Sequence, residues 1–477
     1  MSHFCIKYEN KKKNKFEFLY EKLKNQNETI CKANLINYLY SNNTNSINSI
    51  LECNKKFPIT NINVFNYYKE RLKNFTKIET EDLFYNKLID NINFHSKNNK
   101  KAILLSGGTD SILIACIVSE IFGNNNVICL TLDDGTNFHT EEVRRAEIAA
   151  KNLNLKHYII KGRVSSDQYL KIIKKQANSI DRSSVHYDQI AKKIIEHYGD
   201  YKVDVLNGEF NFLETSVQDS SDPTRHLRDY LFRNKNKLRF LKYFELFDQS
   251  KLHFNFMHRS NNKYLMTLND IIRFIFEKKT DIEYMTGWYN GKSKFPGYHG
   301  IELNNNINFK KKFFDFFKKI NFRNIDTLEE FLYSVGPIMN AGTTNIETVT
   351  NIMQSNGLNM IFPFSSDELY AITNLTKFYK NKILQKDLIS RKYKIDKKVT
   401  YFVKNHSHFN KYFADQFDKN SFKKIFQKSF FDKLKQNIEL DDLSQKEIIK
   451  MENNGITNQR QFRIYIISQV FNIYNVK

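Results

Sequence analysis

Serine, two glycines, threonine, aspartate and a second serine stand in a row at Ser106-Gly-Gly-Thr-Asp-Ser111, directly after the apolar run Ala102-Ile-Leu-Leu105. These residue types in this order suit the gripping of an oxyanion. Gly107 and Gly108 carry no Cβ, so the backbone can turn sharply and bring its N–H groups close to a phosphate. Thr109 lies inside the same turn, and Ser106 and Ser111 add hydroxyl donors. A helix beginning near Asp110 would point its positive end at the same spot. Asp110 does not fit a bare anion cradle: a carboxylate repels phosphates unless a cation sits between, so it calls for a bridging Mg²⁺. The run also fits an ordinary strand-to-helix turn with Thr109 or Asp110 as N-cap. It is neither a Walker loop nor a dinucleotide fingerprint, since no Gly-Lys-Ser/Thr follows and Gly-x-Gly-x-x-Gly is absent.

The elements that must hold this turn are legible on either side. Ala102 to Leu105 read as a buried strand, and Leu113, Cys116, Ile117 and Ile121 repeat with helical spacing. A second apolar strand, Val127-Ile-Cys-Leu-Thr-Leu132, leads through Asp133-Asp-Gly to a helix over Thr140 to Ala150. A third, Lys202-Val-Asp-Val-Leu-Asn-Gly-Glu209, follows further on. Strand and helix alternate from 96 to about 220, the pattern of a doubly wound α/β parallel sheet, in which ligands bind at the carboxyl ends of strands. Ser106, Leu132, Gly208 and Glu209 all fall at such ends.

The loop Ser106 to Ser111 resembles the pyrophosphate loop of the N-type ATP pyrophosphatases (PP-loop superfamily), which include asparagine, β-lactam, NAD and GMP synthetases and several tRNA-modifying enzymes. The resemblance implies ATP and Mg²⁺ as cofactors, cleavage between the α- and β-phosphates, and adenylation of a substrate. Three later segments are similar to the asparagine synthetase subgroup. They are the Leu132 strand end with its Ala-x-x-Ala helix, the strand ending in Gly208-Glu209, and Gly357-Leu-Asn-Met-Ile-Phe-Pro-Phe-Ser-Ser-Asp-Glu-Leu369. A Lys/Arg-rich helix over 380–394 and a late lysine, Lys404, follow as in that subgroup. By resemblance Leu132 lines the adenine pocket, and Asp110 holds the metal. Glu209 assists proton removal from an attacking amine, and Lys404 adds charge at the reacting centre.

The departures from that pattern bear on the substrate. After Glu209 the chain reads Phe-Asn-Phe-Leu-Glu214, lacking the family's second metal aspartate and its glycines; Glu214, Asp219 or neither could supply that ligand. Before Pro363-Phe364 the usual Glu and Arg are Asn359 and Ile361, and Ser366 takes the aspartate's place with Asp367 next. Aspartate is therefore only the default among carboxylate substrates. The chain starts Met1-Ser2-His3-Phe4-Cys5, and residues 1–95 are too few for the glutaminase domain of amidotransferases, which spans roughly two hundred residues. The nitrogen donor expected is ammonia, an amine, or the product of a separate glutaminase.

Composition bounds the remaining classes. The 477-residue chain is 41% hydrophobic and 14% aromatic, enough for a large core. Its formal net charge of +22 would suit a nucleic-acid partner. The lysines are dispersed, however, which favours solvated faces over a dedicated nucleic-acid surface. Cys5, Cys31, Cys53, Cys116 and Cys129 form no Cys-x-x-Cys pair, which argues against zinc and disulfides and fits a cytoplasmic protein. The start shows no hydrophobic stretch of the signal-peptide kind, and no run of about eighteen apolar residues occurs, so no membrane association is expected.

The expected organisation is an N-terminal extension over 1–95, without a glutaminase nucleophile, and an asparagine synthetase-like domain over 96–477. The latter divides into a nucleotide-binding core at 96–220 and a mainly helical substrate-binding portion at 221–477. The activity expected is an ATP-dependent, amide-forming ligase joining a small-molecule carboxylate to ammonia or an amine. The alternatives are a tRNA-modifying enzyme of the same ATP-loop group and a catalytically inactive scaffold.

Overall fold

The structure is a computed structural model that describes residues 62–133, 137–175, 184–208, 344–375, 382–396, 399, 413–426, 429–438, 440 and 442–473. Five strands form one parallel sheet: β1 Lys100–Leu104, β2 Val127–Asp133, β3 Lys156–Lys161, β4 Val203–Asn207 and β5 Asn359–Ile361, in the order β3-β2-β1-β4-β5. The central strands β1, β2 and β4 are buried along most of their length, as strands covered on both faces are. The chain moves outward from β1 to β2 and β3, then returns to the far side of β1 for β4. Right-handed crossovers therefore place the helices of the first two connections on one face and those of the return on the other.

The first face carries α3 (Thr109–Phe122) and α4 (Asn137–Asn152); the return brings α5 (Ser166–Lys175) and α6 (Ser184–Tyr198). Residues 109–118 of α3 are all buried, because α3 lies between the sheet and α9 (Ile383–Tyr393). Beside α6 packs α7 (Thr344–Ser355). The doubly wound arrangement expected from the alternation of strands and helices is thus the one observed.

Residues ahead of β1 share this core. Helix α1 (Ile62–Arg71) contributes Phe65 and Tyr68, and α2 (Lys77–His95) contributes Phe84, Leu88 and Ile92. A capping box at Thr76 and Glu79 starts α2, each side chain satisfying the other's backbone N–H. From α2, Asn91 donates to the carbonyl of Pro363, and Phe84 stacks on Phe364 at 6.3 Å. Thus α2 holds the turn between β5 and α8 (Asp367–Leu375), whose first turn is capped by the Ser366 hydroxyl, which accepts from Leu369 N at 3.1 Å.

A second cluster forms at the C-terminus, from α10 (Lys419–Ile425), α11 (Asp432–Asn437), α12 (Asp442–Asn454) and α13 (Gln459–Ile473). It packs on α5 through Tyr169, whose ring meets Phe417, Phe422, Phe462 and Tyr465. The loop after β3 is stitched to it by a parallel bridge between Val164 and Phe417. No helix among the described residues is long and apolar enough to cross a membrane. Residues 1–61 of the expected N-terminal extension and 221–343 of the expected helical portion lie outside the described residues.

Candidate active site

The order of strands reverses between β1 and β4, and the turn Leu105–Gly108 leaves the sheet there. Leu105 still donates to Leu130 of β2 at 2.8 Å, so the turn starts from a fixed strand end. Its glycines play different parts. Gly107 has φ +69°, and a Cβ there would lie 2.2 Å from the carbonyl oxygen of Glu142 on α4, so only glycine fits. Gly108 has ordinary backbone geometry and is the N-cap of α3, with no side-chain cap. The N-cap reading of Thr109 or Asp110 is therefore corrected: both lie inside the helix, because the chain enters helical geometry one residue earlier. With no side chain at the cap, the helix terminus stays open to an anion.

The two serines hold the turn in shape. Ser106 N donates to Ser111 Oγ at 3.2 Å, while the Ser111 hydroxyl donates to Gly108 O at 3.0 Å. The Ser106 hydroxyl is 3.2 Å from Ser111 Oγ. From the other side β4 closes in: a Cβ on Gly208 would stand 2.8 Å from Ser111 N and 3.0 Å from the carbonyl carbon of Asp110. The glycine of Asn207-Gly208 is what lets the end of β4 touch the first turn of α3. We expect Gly107→Ala and Gly208→Ala to lower thermal stability and nucleotide binding together. Gly108→Ala should leave the melting temperature nearly unchanged, so a selective loss of nucleotide affinity would report ligand backbone contact at that residue. Melting curves and nucleotide titration of the three variants separate these outcomes.

Asp110 is 8% exposed, in the first turn of α3. Its Oδ2 accepts from Lys382 Nζ at 2.6 Å, and Gln385 Nε2 lies 3.4 Å from Oδ1. Lys382 adopts a left-handed conformation, φ +59°, as the N-cap of α9. One turn on, Lys386 is buried, and burial and the Lys382 charge lower its pKa, opposed by Asp110 and Asp387. Lys382 thus pairs with Asp110 at the helix N-terminus, and Lys386 lies within electrostatic reach of both Asp110 and Asp387. Lys382, Gln385 and Lys386 were not singled out by the sequence reading. The only signal was the Lys/Arg-rich stretch 380–394, in which nothing distinguishes these residues from exposed lysines.

Asp110 fits the metal role as one protein ligand. Among the described residues no group of three or more His, Cys, Asp or Glu side chains could hold a metal ion. Mg²⁺ commonly uses one or two carboxylates and takes its remaining ligands from substrate phosphates and water, so a lone buried aspartate beside an anion cradle suits it. The candidates for a second carboxylate, Glu214 and Asp219, lie outside the described residues, as do Glu209 and Lys404.

Leu132 is half-buried near the end of β2. The last β1–β2 pair is Leu104 with Leu130, so β2 runs on past β1 through Leu132 and Asp133 while still paired with β3. Thr131 ties this overhang down, its hydroxyl donating to Leu105 O at 2.5 Å and lying 2.7 Å from His157 Nε2. The backbone around Leu132 thereby flanks the cradle. Asn359, by contrast, sits at the opposite edge of the sheet and donates to Asp204.

Comparisons with known proteins match parts of the chain. The family model for NAD synthase matches residues 85–195. An argininosuccinate synthase from Methanosarcina mazei is 33% identical over 102 residues, 20% of this chain and 25% of that protein. The NH3-dependent NAD synthetase from Campylobacter jejuni, solved with a nitrate ion, is 16% identical with a TM-score of 0.21. That likeness covers 29% of this chain and 58% of the synthetase. The chain thus spans a quarter of the curated relative and under two thirds of the solved structure. Residues 85–195, which include the cradle at 106–111, are thus similar to NAD synthase.

Proposed function

We propose that this chain is an ATP-dependent carbon–nitrogen ligase that adenylates a carboxylate, releases pyrophosphate and passes the acyl group to ammonia or an amine. The observation that carries this reading is the open N-terminus of α3, preformed by Ser106–Ser111, with Asp110 buried beneath Lys382 and Lys386. Pyrophosphate release accumulates negative charge on several oxygens at once, and fixed donors aimed at that charge are the main source of rate in such chemistry. Here the backbone of 107–111 would cradle the leaving phosphates. Asp110 would hold Mg²⁺, which when bound draws charge from the phosphate oxygens. Lys382 and Lys386 supply positive charge beside them, and the β2 overhang at Leu132 offers backbone to the adenine. Glu209, next to Gly208, would take the proton from the attacking amine, and Lys404 would add charge at the reacting centre.

The later Pro363-Phe364 element favours an asparagine synthetase-like substrate arrangement within this chemistry. The experiment is pyrophosphate release from ATP and Mg²⁺ across a panel of carboxylates with ammonia or amines. Substrate-dependent release is expected, lost in Asp110→Ala and strongly reduced in Glu209→Gln and Lys404→Ala. No release from the wild type with any pair, or release unchanged in Asp110→Ala, would sink the proposal.

A further inference from the structure

At the edge of the sheet opposite the cradle, the starts of the strands carry a chain of cations and aromatic rings drawn from several elements. Lys156, at the start of β3, and Lys193, on α6, place their Nζ atoms 5.3 and 4.8 Å from the centre of the Tyr158 ring. The Tyr158 hydroxyl is 2.9 Å from His197 Nδ1, and the His197 ring meets that of Tyr198 with centroids 4.6 Å apart. Lys100, at the start of β1, continues the chain, with Nζ 5.9 Å from the Tyr198 ring and 5.7 Å from that of Tyr201. Tyr201, just before β4, is 69% exposed, and Phe94, at the end of α2 on the same edge, is 72% exposed.

The charge here is concentrated, unlike the dispersed lysines elsewhere. Burial and the three ammonium groups of Lys156, Lys193 and Lys100 together lower the pKa of His197. Among the described residues, the acid paired with these lysines is Glu196, 2.6 Å from Lys193. An exposed ring beside an ammonium group, as Tyr201 is beside Lys100, with further cations along the same edge, is how single-strand-binding surfaces work: a base stacks on the ring and the neighbouring phosphates meet the cations. An acidic protein would use the cations but leave two large exposed rings without a role. A lipid surface would require apolar residues to reach past the lysines. The overall charge of +22 would speed the approach of any such strand.

We infer that this edge, built from Lys100, Lys156, Lys193 and Tyr201, binds a single-stranded nucleic acid. The surface is separate from the ATP site, so its failure would leave the ligase reading untouched. The test is fluorescence anisotropy of the full chain with a short labelled single-stranded RNA over a salt series. The Lys100→Gln, Lys156→Gln, Lys193→Gln triple variant should flatten the slope of log affinity against log salt by about 2, at roughly 0.7 for each phosphate no longer neutralised. Tyr201→Ala should weaken binding about five- to a hundredfold with the slope unchanged, because stacking carries no counterion. Melting curves and pyrophosphate release should match wild type in both variants. Photo-crosslinking of thiouridine-substituted RNA to the wild type needs no variant, and should label the peptide containing Tyr201. Absence of RNA binding would overturn the inference. So would competition by polyglutamate as effective as that by unlabelled RNA, loss of anionic-vesicle binding in these variants with RNA binding intact, or crosslinks confined to other peptides.

Discussion

Replacing Asp110 by alanine or asparagine should cut pyrophosphate release by about 100- to 1,000-fold, the size of effect seen when one fixed group facing developing charge is removed. It should not weaken binding of metal-free ATP. The Asp110 carboxylate compensates Lys382 at 2.6 Å, while Lys386, one turn further on, also interacts with Asp387. Without the Asp110 carboxylate, the Lys382 ammonium loses its counter-charge and is left for the phosphates, and nucleotide without Mg²⁺ should bind as tightly as before or more so. The dependence of affinity on Mg²⁺ should then vanish. Lys382→Met should behave in the opposite way, weakening nucleotide binding while leaving Mg²⁺ dependence in place, since the carboxylate is then released to the metal. Titration of ATP with and without Mg²⁺, alongside turnover, reads both effects. Weaker metal-free binding in Asp110→Asn would show that the carboxylate supports the cradle's shape rather than a cation. The fold should survive these changes. The aspartate's favourable place in the first turn of a helix contributes about 0.3–1 kcal/mol, and Lys382 is partly exposed.

The half of this site that was legible in the sequence is the half made by neighbours in the chain. An apolar strand, two glycines and an apolar helix are local patterns, and Gly107 with its positive φ is the residue the turn requires. The half that was not legible comes from distant pairing. Lys382 is 272 positions from Asp110, in a stretch of basic residues whose pattern alone does not show which face meets α3. The same holds for Gly208. Sequence places it at a strand end, whereas its close approach to Ser111 depends on β4 lying beside β1 rather than beside β3.

Asn359 shows a different kind of gap. In the sequence it is a departure from the asparagine synthetase-like element, where a glutamate is usual, and so bears on the substrate. In the structure its amide donates to Asp204 at 2.7 Å, at the end of the sheet away from the cradle. Two opposite charges embedded in two otherwise apolar strands, Lys101 and Asp204, were the available sign of a buried pair joining β1 to β4. A lone charge in a strand covered on both faces has to find a partner.

That pair carries the largest stability effect expected of the molecule. Lys101 and Asp204 are both fully buried, with Lys101 Nζ 2.7 Å from Asp204 Oδ2. Asp204 also accepts from Lys97 N at 2.9 Å, Asn98 N at 3.0 Å, and the side-chain amides of Asn98 and Asn359 at 2.7 Å each. The Lys101 ammonium in turn lies over the Phe122 ring at 4.0 Å. Asp204→Ala leaves the buried Lys101 ammonium without its counter-charge, with the Asn98 carbonyl as its remaining acceptor, and deprives the part-buried N–H groups of Lys97 and Asn98 of theirs. Breaking one side of such a pair costs about 3–5 kcal/mol. Replacing both charges, as in Lys101→Met with Asp204→Leu, should recover part of that loss and not all of it, since the backbone N–H groups of Lys97 and Asn98 remain unsatisfied. Lys101→Met alone should be nearly as damaging as Asp204→Ala, because it leaves the carboxylate buried with neutral donors only. Denaturant midpoints of the three variants check this order. A double variant less stable than either single one would mean that the pair does not act as a unit. The consequence reaches the far end of the sheet. The Asp204 knot fixes the register of β4 against β1, from Lys100 opposite Val203 to Leu104 opposite Asn207, and that register sets Gly208 against the first turn of α3. Variants that loosen the knot without unfolding the chain should therefore bind nucleotide more weakly, although no atom of Lys101 or Asp204 reaches the cradle.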